Sequence, residues 1–253
     1  MVKVLLHGCN GKIGRALTRL ISQQDGIEVA AGVDKFLGTP NDYPVFASVA
    51  ECNVDCDVVI DFSTATAVDA LLNYCIDKKL PAVICTTGLS EETRTLLNKA
   101  SNSTPIFFSA NMSLGVNLIT ALAKRATEVL ADSGFDIEII EKHHNQKIDA
   151  PSGTALAIAD AINDTLNHEY EYKFDRSQVR EKRPKKEIGI HAVRGGTIVG
   201  EHDVLFAGND EFITISHQAT SKEVFANGAI KAAKFLADKE PGLYNMDNLF
   251  AAL

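Results

Sequence analysis

"VKVLLHGCNGKIGRALTRLI", residues 2–21, decides the fold. A short apolar run ends at His7, three glycines follow at Gly8, Gly11 and Gly14, and then Ile13, Ala16, Leu17, Leu20 and Ile21 recur at the spacing of one helical face. This is a strand, a tight turn and a helix. "IEVAAGVD" (27–34) supplies a second strand, and its last residue, Asp34, stands twenty positions after Gly14. Glycine permits the turn and close backbone approach, the helix start offers amide donors to a pyrophosphate, and an acid after the second strand accepts from a ribose hydroxyl. The order points to a dinucleotide. The spacing is GxxGxxG instead of GxGxxG, so the path of the loop is left open.

Outward from that unit the rhythm repeats. "CDVVIDFS" (56–63), "LPAVICTTG" (80–88) and "TPIFFSAN" (104–111) read as strands, with "TAVDALLNYCIDK" (66–78) and "SEETRTLLNKAS" (90–101) as helices between them. Ser90 is the expected N-cap of the latter, with Glu91 and Glu92 in its first turn. Continuous apolar strands joined by crossover helices imply a parallel sheet covered on both faces. Near residue 112 the order changes to a helix (114–131), a strand (135–144), a helix (153–166), a polar stretch and three strands (188–196, 197–208, 211–219). Gly195-Gly196 and Gly208-Asn209-Asp210 read as hairpin-type connections. The expected fold is α/β: a Rossmann-type doubly wound parallel sheet in residues 1–112, completed by 222–253, plus a second α+β domain with a mixed sheet in 113–221. The last helix, "EVFANGAIKAAKFLADK" (223–239), has an apolar face suited to return to the first domain.

Composition narrows the partners. The chain has 253 residues and a net charge of -8, which argues against nucleic acid and anionic membranes as partners. The basic run from Lys182 to Lys186 is flanked by Glu181 and Glu187 and reads as a solvated loop. Five cysteines, all in the first third, read as reduced thiols. Met1 leads straight into a strand and no apolar run approaches a membrane span, so the expected location is the cytoplasm.

The chemistry concentrates in "EKHHNQKIDAPSGTA", residues 141–155. A strand ends at His143-His144, and Lys147 follows on the loop. A hydride acceptor such as C=N needs a proton donor or cation beside its nitrogen, which His and Lys supply. Ser152, Gly153 and Thr154 open a helix and present hydroxyls and amides to a carboxylate. No metal is expected, since no suitable ligand spacing accompanies the histidines. Thr86, Thr87 and Gly88, and Ala110, Asn111 and Met112, follow two later strands and are candidates for the nicotinamide half, while Lys12 and Ile13 belong to the glycine turn. Asp34 favours the free ribose of NAD, and Lys35 admits some NADP.

The His-His-x-x-Lys-x-Asp-Ala-Pro-Ser-Gly-Thr run resembles the signature of the 4-hydroxy-tetrahydrodipicolinate (dihydrodipicolinate) reductase family, and "HGCNGKIG", "VVIDFS", "TTG", "FFSANMSLGVN", "RGGTIVGEHDVLFAG" and "FANGAIKAA" fall in that family's order. The resemblance implies reduction of a cyclic dicarboxylate, 4-hydroxy-2,3,4,5-tetrahydrodipicolinate, with NADH or NADPH in diaminopimelate and lysine biosynthesis, by a homotetramer built through the second domain. It implies His143 as general acid with Lys147, and His144, Ser152, Gly153 and Thr154 as the carboxylate set. It also implies cofactor contacts from the glycine turn, Asp34, Lys35, Thr87 and Gly88, with Ala110 and Met112 near the nicotinamide. Some members carry arginine after "DF" and before "FANGA"; this chain has Ser63-Thr64 and Lys222 at those places, which weakens NADP binding and favours NADH. The competing readings are an NAD-binding regulator, which needs no His143 and Lys147, and another nicotinamide-dependent dehydrogenase, which needs no site for two carboxylates.

Overall fold

The computed structural model describes residues 1–252. In chain order the elements are β1 (Val2–His7), α1 (Lys12–Ile21), β2 (Ile27–Val33), β3 (Val45–Phe46), β4 (Val58–Asp61), α2 (Ala65–Lys78), β5 (Ala82–Ile84), α3 (Glu91–Ser101), β6 (Pro105–Phe108), α4 (Leu114–Leu130), β7 (Asp136–His143), α5 (Gly153–Thr165), β8 (Glu171–Lys173), β9 (Glu187–Arg194), β10 (Gly200–Ala207), β11 (Phe212–Ala219), α6 (Glu223–Leu236), β12 (Gly242–Tyr244) and α7 (Met246–Phe250). They divide into two compact units: Met1–Leu114 with the chain from Glu223 onward, and Gly115–Lys222.

The first unit holds a seven-stranded sheet ordered β12-β6-β5-β4-β1-β2-β3, parallel throughout. Side chains alternate across a strand, so an apolar run can serve two cores at once. Val4 and Leu6 join Leu17, Ile21, Ile230 and Ala233 on one face, while Leu5 joins Val59, Leu71, Leu72 and Ile106 on the other. The apolar face of α6 therefore completes this unit's core, and the chain then adds β12 at the sheet edge, a strand too short to show in the sequence pattern. Ser90 caps α3, its Oγ accepting from the Thr93 amide at 3.2 Å. All five cysteines are free. Burial pushes the Cys9 thiol up to about 11 and that of Cys56 to about 12, which makes them packing groups.

The second unit holds a mixed sheet ordered β11-β10-β7-β9-β8, antiparallel at β11/β10 and β10/β7 and parallel at β7/β9 and β9/β8. Ile137 and Ile139 of β7, Ile188 and Ile190 of β9, and Val204 and Phe206 of β10 pack against Ile158 and Ile162 of α5 and Ile119 of α4. Two expectations fail in this unit. Gly208-Asn209-Asp210 lies in a hairpin loop, but β7 sits between β9 and β10, so Gly195-Gly196 belongs to a crossing connection. The basic run is not wholly solvated either. Arg183 donates to Glu138 Oε1 (2.8 Å), Asp136 Oδ1 (2.9 Å) and the carbonyls of Ile137 (3.0 Å) and Glu187 (2.7 Å), its planar fork reaching several acceptors at once.

No helix among the described residues is long and apolar enough to cross a membrane.

Candidate active site

In the first unit the glycine turn follows a path set by two steric requirements. Gly8 has φ +81°, and a Cβ there would lie 2.5 Å from the Phe62 carbonyl oxygen. At Gly14 a Cβ would fall 2.2 Å from the Gly8 oxygen and 2.5 Å from that of Cys9, so α1 packs directly on the turn. Gly11 is the N-cap of α1 in extended geometry and is less crowded, 3.3 Å from the Gly8 oxygen. Asp34 closes the other side: its Oδ2 accepts from the Asn10 amide and its Oδ1 from the Phe36 amide, both at 2.9 Å.

A cavity of about 680 Å³ opens over this turn, and Gly8, Gly11, Lys12, Asp34 and Lys35 are among the residues that line it. Its size and its glycine floor suit one half of a dinucleotide. Ile13 and Gly14 support it from behind, Ile13 against the apolar core. Other expected residues lie apart from the cavity. Thr86 is buried and donates to Asp61 Oδ2 at 2.7 Å, whereas Thr87 and Gly88 (φ +72°) are exposed. Ala110 is exposed, Asn111 Oδ1 accepts from the Ser113 amide at 2.9 Å, and the Met112 side chain lies in the core. Sequence reasoning missed His7, Asn10, Arg15 and Phe36, which line the cavity. Arg15 falls one turn after Lys12 on α1, a spacing that does signal a shared face. It also missed Asp61, fully buried at the end of β4, with the Ser63 amide at 3.2 Å and His7 Nδ1 2.9 Å from Oδ1, the latter off the hydrogen-bond direction.

In the second unit, β7 delivers His143 at its end, with the side chain buried, and His144 follows with the opposite side partly open. The departing loop is pinned to the glycine connection: Gly195 N donates to the His143 carbonyl (2.9 Å) and Asn145 N to that of Gly196 (3.2 Å). Lys147 Nζ contacts both Asp149 oxygens at 2.8 Å, and this holds the Asp149 carboxyl below the usual carboxylate range. A cis Ala150-Pro151 bond then leads into α5. Gly153 is exposed and Thr154 partly so at the first turn of α5, where amides point out of the helix. Ser152 is more committed than expected. Its Oγ accepts from the Ala155 amide at 3.1 Å and lies 3.3 Å from His202 Nε2, and only 1% of the residue is exposed.

His143 does not stand alone. Its Nδ1 lies 2.5 Å from Glu141 Oε2, and its ring stands edge-on to that of His202 at 5.3 Å between centroids. Burial, then the neighbouring His143, pushes His202 down to about 4. An unfolded histidine titrates near 6.5, so the native state resists a proton that the unfolded chain accepts. The stability tied to His202 is complete above about pH 6.5 and drains as pH falls toward 4. Between pH 7 and pH 5 the protein is expected to lose about 2 kcal/mol more than His202→Gln does. Urea titration of both at the two pH values checks this; equal losses would contradict it.

Both units have counterparts among known proteins. Residues 2–112 match the family model "Dihydrodipicolinate reductase, N-terminus" and residues 115–250 match "Dihydrodipicolinate reductase, C-terminus". The chain belongs to the dihydrodipicolinate reductase family. A 4-hydroxy-tetrahydrodipicolinate reductase of Caldanaerobacter subterraneus subsp. tengcongensis is 55% identical over 249 residues, covering 98% of each chain. Another, from Clostridium tetani, is 53% identical over 98% of this chain and 96% of its own. Among solved structures, a dipicolinate-bound dihydrodipicolinate reductase from Paenisporosarcina sp. TG-14 shares the fold, with a TM-score of 0.81, 24% identity and 97% of each chain covered. Members of this family are NAD(P)H-dependent oxidoreductases, and the glycine turn and cavity of the first unit fit that cofactor class.

Proposed function

We propose that this chain reduces 4-hydroxy-2,3,4,5-tetrahydrodipicolinate to 2,3,4,5-tetrahydrodipicolinate with NAD(P)H, in the cytoplasm, as a step toward diaminopimelate and lysine. The observation that carries the reading is the family membership of the whole chain together with the second unit's clustering of His143, Lys147 and the start of α5. Loss of the 4-hydroxyl as water leaves a conjugated imine, and one hydride and one proton complete the reduction. The nicotinamide supplies the hydride when it is bound. His143 is the general acid, holding the proton that the reduced ring takes up. Lys147 offers a second cation beside the ring nitrogen once a substrate carboxylate draws it from Asp149. Gly153 and Thr154 at the helix start, with His144 on the loop, bind carboxylate, while Ser152 fixes the helix start.

In the first unit Gly8, Gly11 and Lys12 cradle the pyrophosphate, Ile13 and Gly14 hold α1 against it, and Asp34 takes the ribose hydroxyls. Thr86, Thr87, Gly88, Ala110, Asn111 and the Met112 backbone are assigned to the nicotinamide end. NADH is the favoured cofactor because the Asp34 carboxylate repels a 2′-phosphate, while Lys35 and Arg15 beside the same cavity keep NADPH usable. Asp34→Asn retains an acceptor and removes the charge. It is expected to raise the ratio of KM for NADH to KM for NADPH about tenfold; an unchanged ratio removes Asp34 from the choice of cofactor. The reading also carries a homotetramer built through the second unit, supported by exposed Phe212 and Ile213 on the edge strand β11, which sedimentation of the purified protein checks.

The direct test is oxidation of NADH and NADPH by the purified protein, with substrate made in place by the synthase that joins pyruvate to aspartate semialdehyde. Oxidation that depends on both synthase products supports the reductase. Folded protein that binds NADH yet oxidises neither cofactor overturns it.

A further inference from the structure

Glu141 precedes His143 by two residues on β7, so both side chains face the helix-covered side of the sheet. Its side chain is fully buried, a costly place for a carboxylate unless its lone pairs are filled. Four donors fill them. Oε2 receives His143 Nδ1 (2.5 Å) and Arg194 Nη1 (2.8 Å); Oε1 receives Arg194 Nη2 (2.7 Å) and the Ser152 amide (2.9 Å). Arg194 Nη2 also donates to the Asp149 carbonyl at 2.7 Å. One carboxylate thus ties the end of β7, the end of β9 and the start of α5 together.

The protonation follows from this count. Burial pushes the Glu141 carboxyl up, but hydrogen bonds from Arg194, His143 and Ser152 outweigh it and leave it below its ordinary value. An ionised carboxylate only accepts, so the hydrogen it shares with His143 resides on Nδ1. At the other nitrogen, Gly200 supplies clearance: a Cβ there would lie 3.1 Å from His143 Nε2. We infer that Glu141, clamped by Arg194, is the positioning residue for His143, holding the imidazole as the Nδ1–H tautomer so that Nε2 is the nitrogen that exchanges the proton. The inference rests on the reading of His143 as general acid.

The test combines spectroscopy with kinetics on the full chain labelled with 15N-histidine, the His143 signals being assigned by their loss in His143→Gln. In the wild type, at a pH where His143 is neutral, the proton is expected on Nδ1. Glu141→Gln is isosteric; with Arg194 still holding its oxygen, the amide nitrogen faces Nδ1 and donates to it, moving the ring proton to Nε2. The accompanying kcat falls about 10²-fold, with KM for the substrate changed less than about threefold. Arg194→Lys, which keeps the charge and loses the two-pronged clamp, gives a smaller fall and a mixed tautomer. A wild-type His143 protonated on Nε2 overturns the inference without recourse to any variant, as does a folded Glu141→Gln that keeps Nδ1–H. A tautomer that switches while kcat stays at the wild-type value upholds the positioning by Glu141 and instead removes His143 from the role of acid.

Discussion

His143→Gln is expected to lower kcat by roughly 10² to 10⁴, the range a positioned general acid supplies. Glutamine fills much of the imidazole's place and can still reach Glu141, so the β7 strand end and the clamp by Arg194 persist. What disappears is the imidazole proposed to deliver the proton. NADH affinity is expected to stay within about twofold, because the residues around the glycine turn belong to the other compact unit. Steady-state kinetics with enzymatically generated substrate, paired with an NADH fluorescence titration, separates the two quantities. Turnover within a few-fold of wild type would exclude His143 as the acid and make Lys147 the remaining candidate. A parallel loss of NADH affinity would mean that the substitution acts through folding.

Gly14→Ala is expected to destabilise the protein by about 3 kcal/mol or more and to weaken NADH binding at least about tenfold. The new methyl would meet the carbonyl oxygens of Gly8 and Cys9 at 2.2 and 2.5 Å, and neither is a flexible side-chain end that can swing away. Relief requires α1 to move off the turn, which shifts the amides and the Lys12 side chain that border the cavity. Gly11→Ala is the internal control. Its Cβ approaches the Gly8 oxygen only to 3.3 Å, and φ is -68°, so a cost of about 1 kcal/mol or less is expected. Urea unfolding of the two variants checks the contrast, and NADH titration of Gly14→Ala checks the loss of binding. Equal destabilisation at the two positions would refute a turn held tight by the contact of Gly14 with the Gly8 and Cys9 carbonyls.

Much of this was legible in the chain. "VKVLLHGCNGKIG" announces strand, turn and helix because glycine spacing and apolar periodicity are local properties. "KHHNQKIDAPSGT" announces chemistry because helix-start residues and a strand end are local as well. The glycine path was not legible: whether Gly14 or Gly11 is sterically required depends on which carbonyl lies opposite, and only the folded turn brings Gly8 and Gly14 together. The same holds for Ser152. Its place at the helix start suggests a ligand contact, yet His202, fifty residues on, lies against its hydroxyl.

Arg194 and Glu141 are the fullest case. They are fifty-three residues apart, and they pair because β7 and β9 run parallel and adjacent, which brings both side chains to one end of the sheet. No periodicity links them. Gly195-Gly196, which has the composition of a hairpin turn, instead pins the loop beyond His143, because β7 occupies the place between β9 and β10. By itself the sequence determined the parallel sheet, the second mixed sheet, the glycine turn and the loop that carries the histidines, since each rests on propensities and patterns within a few residues. The tertiary structure alone decided which polar groups are spent on one another and which remain for a ligand. That assignment depends on strand order and register, which set contacts between residues distant in the chain.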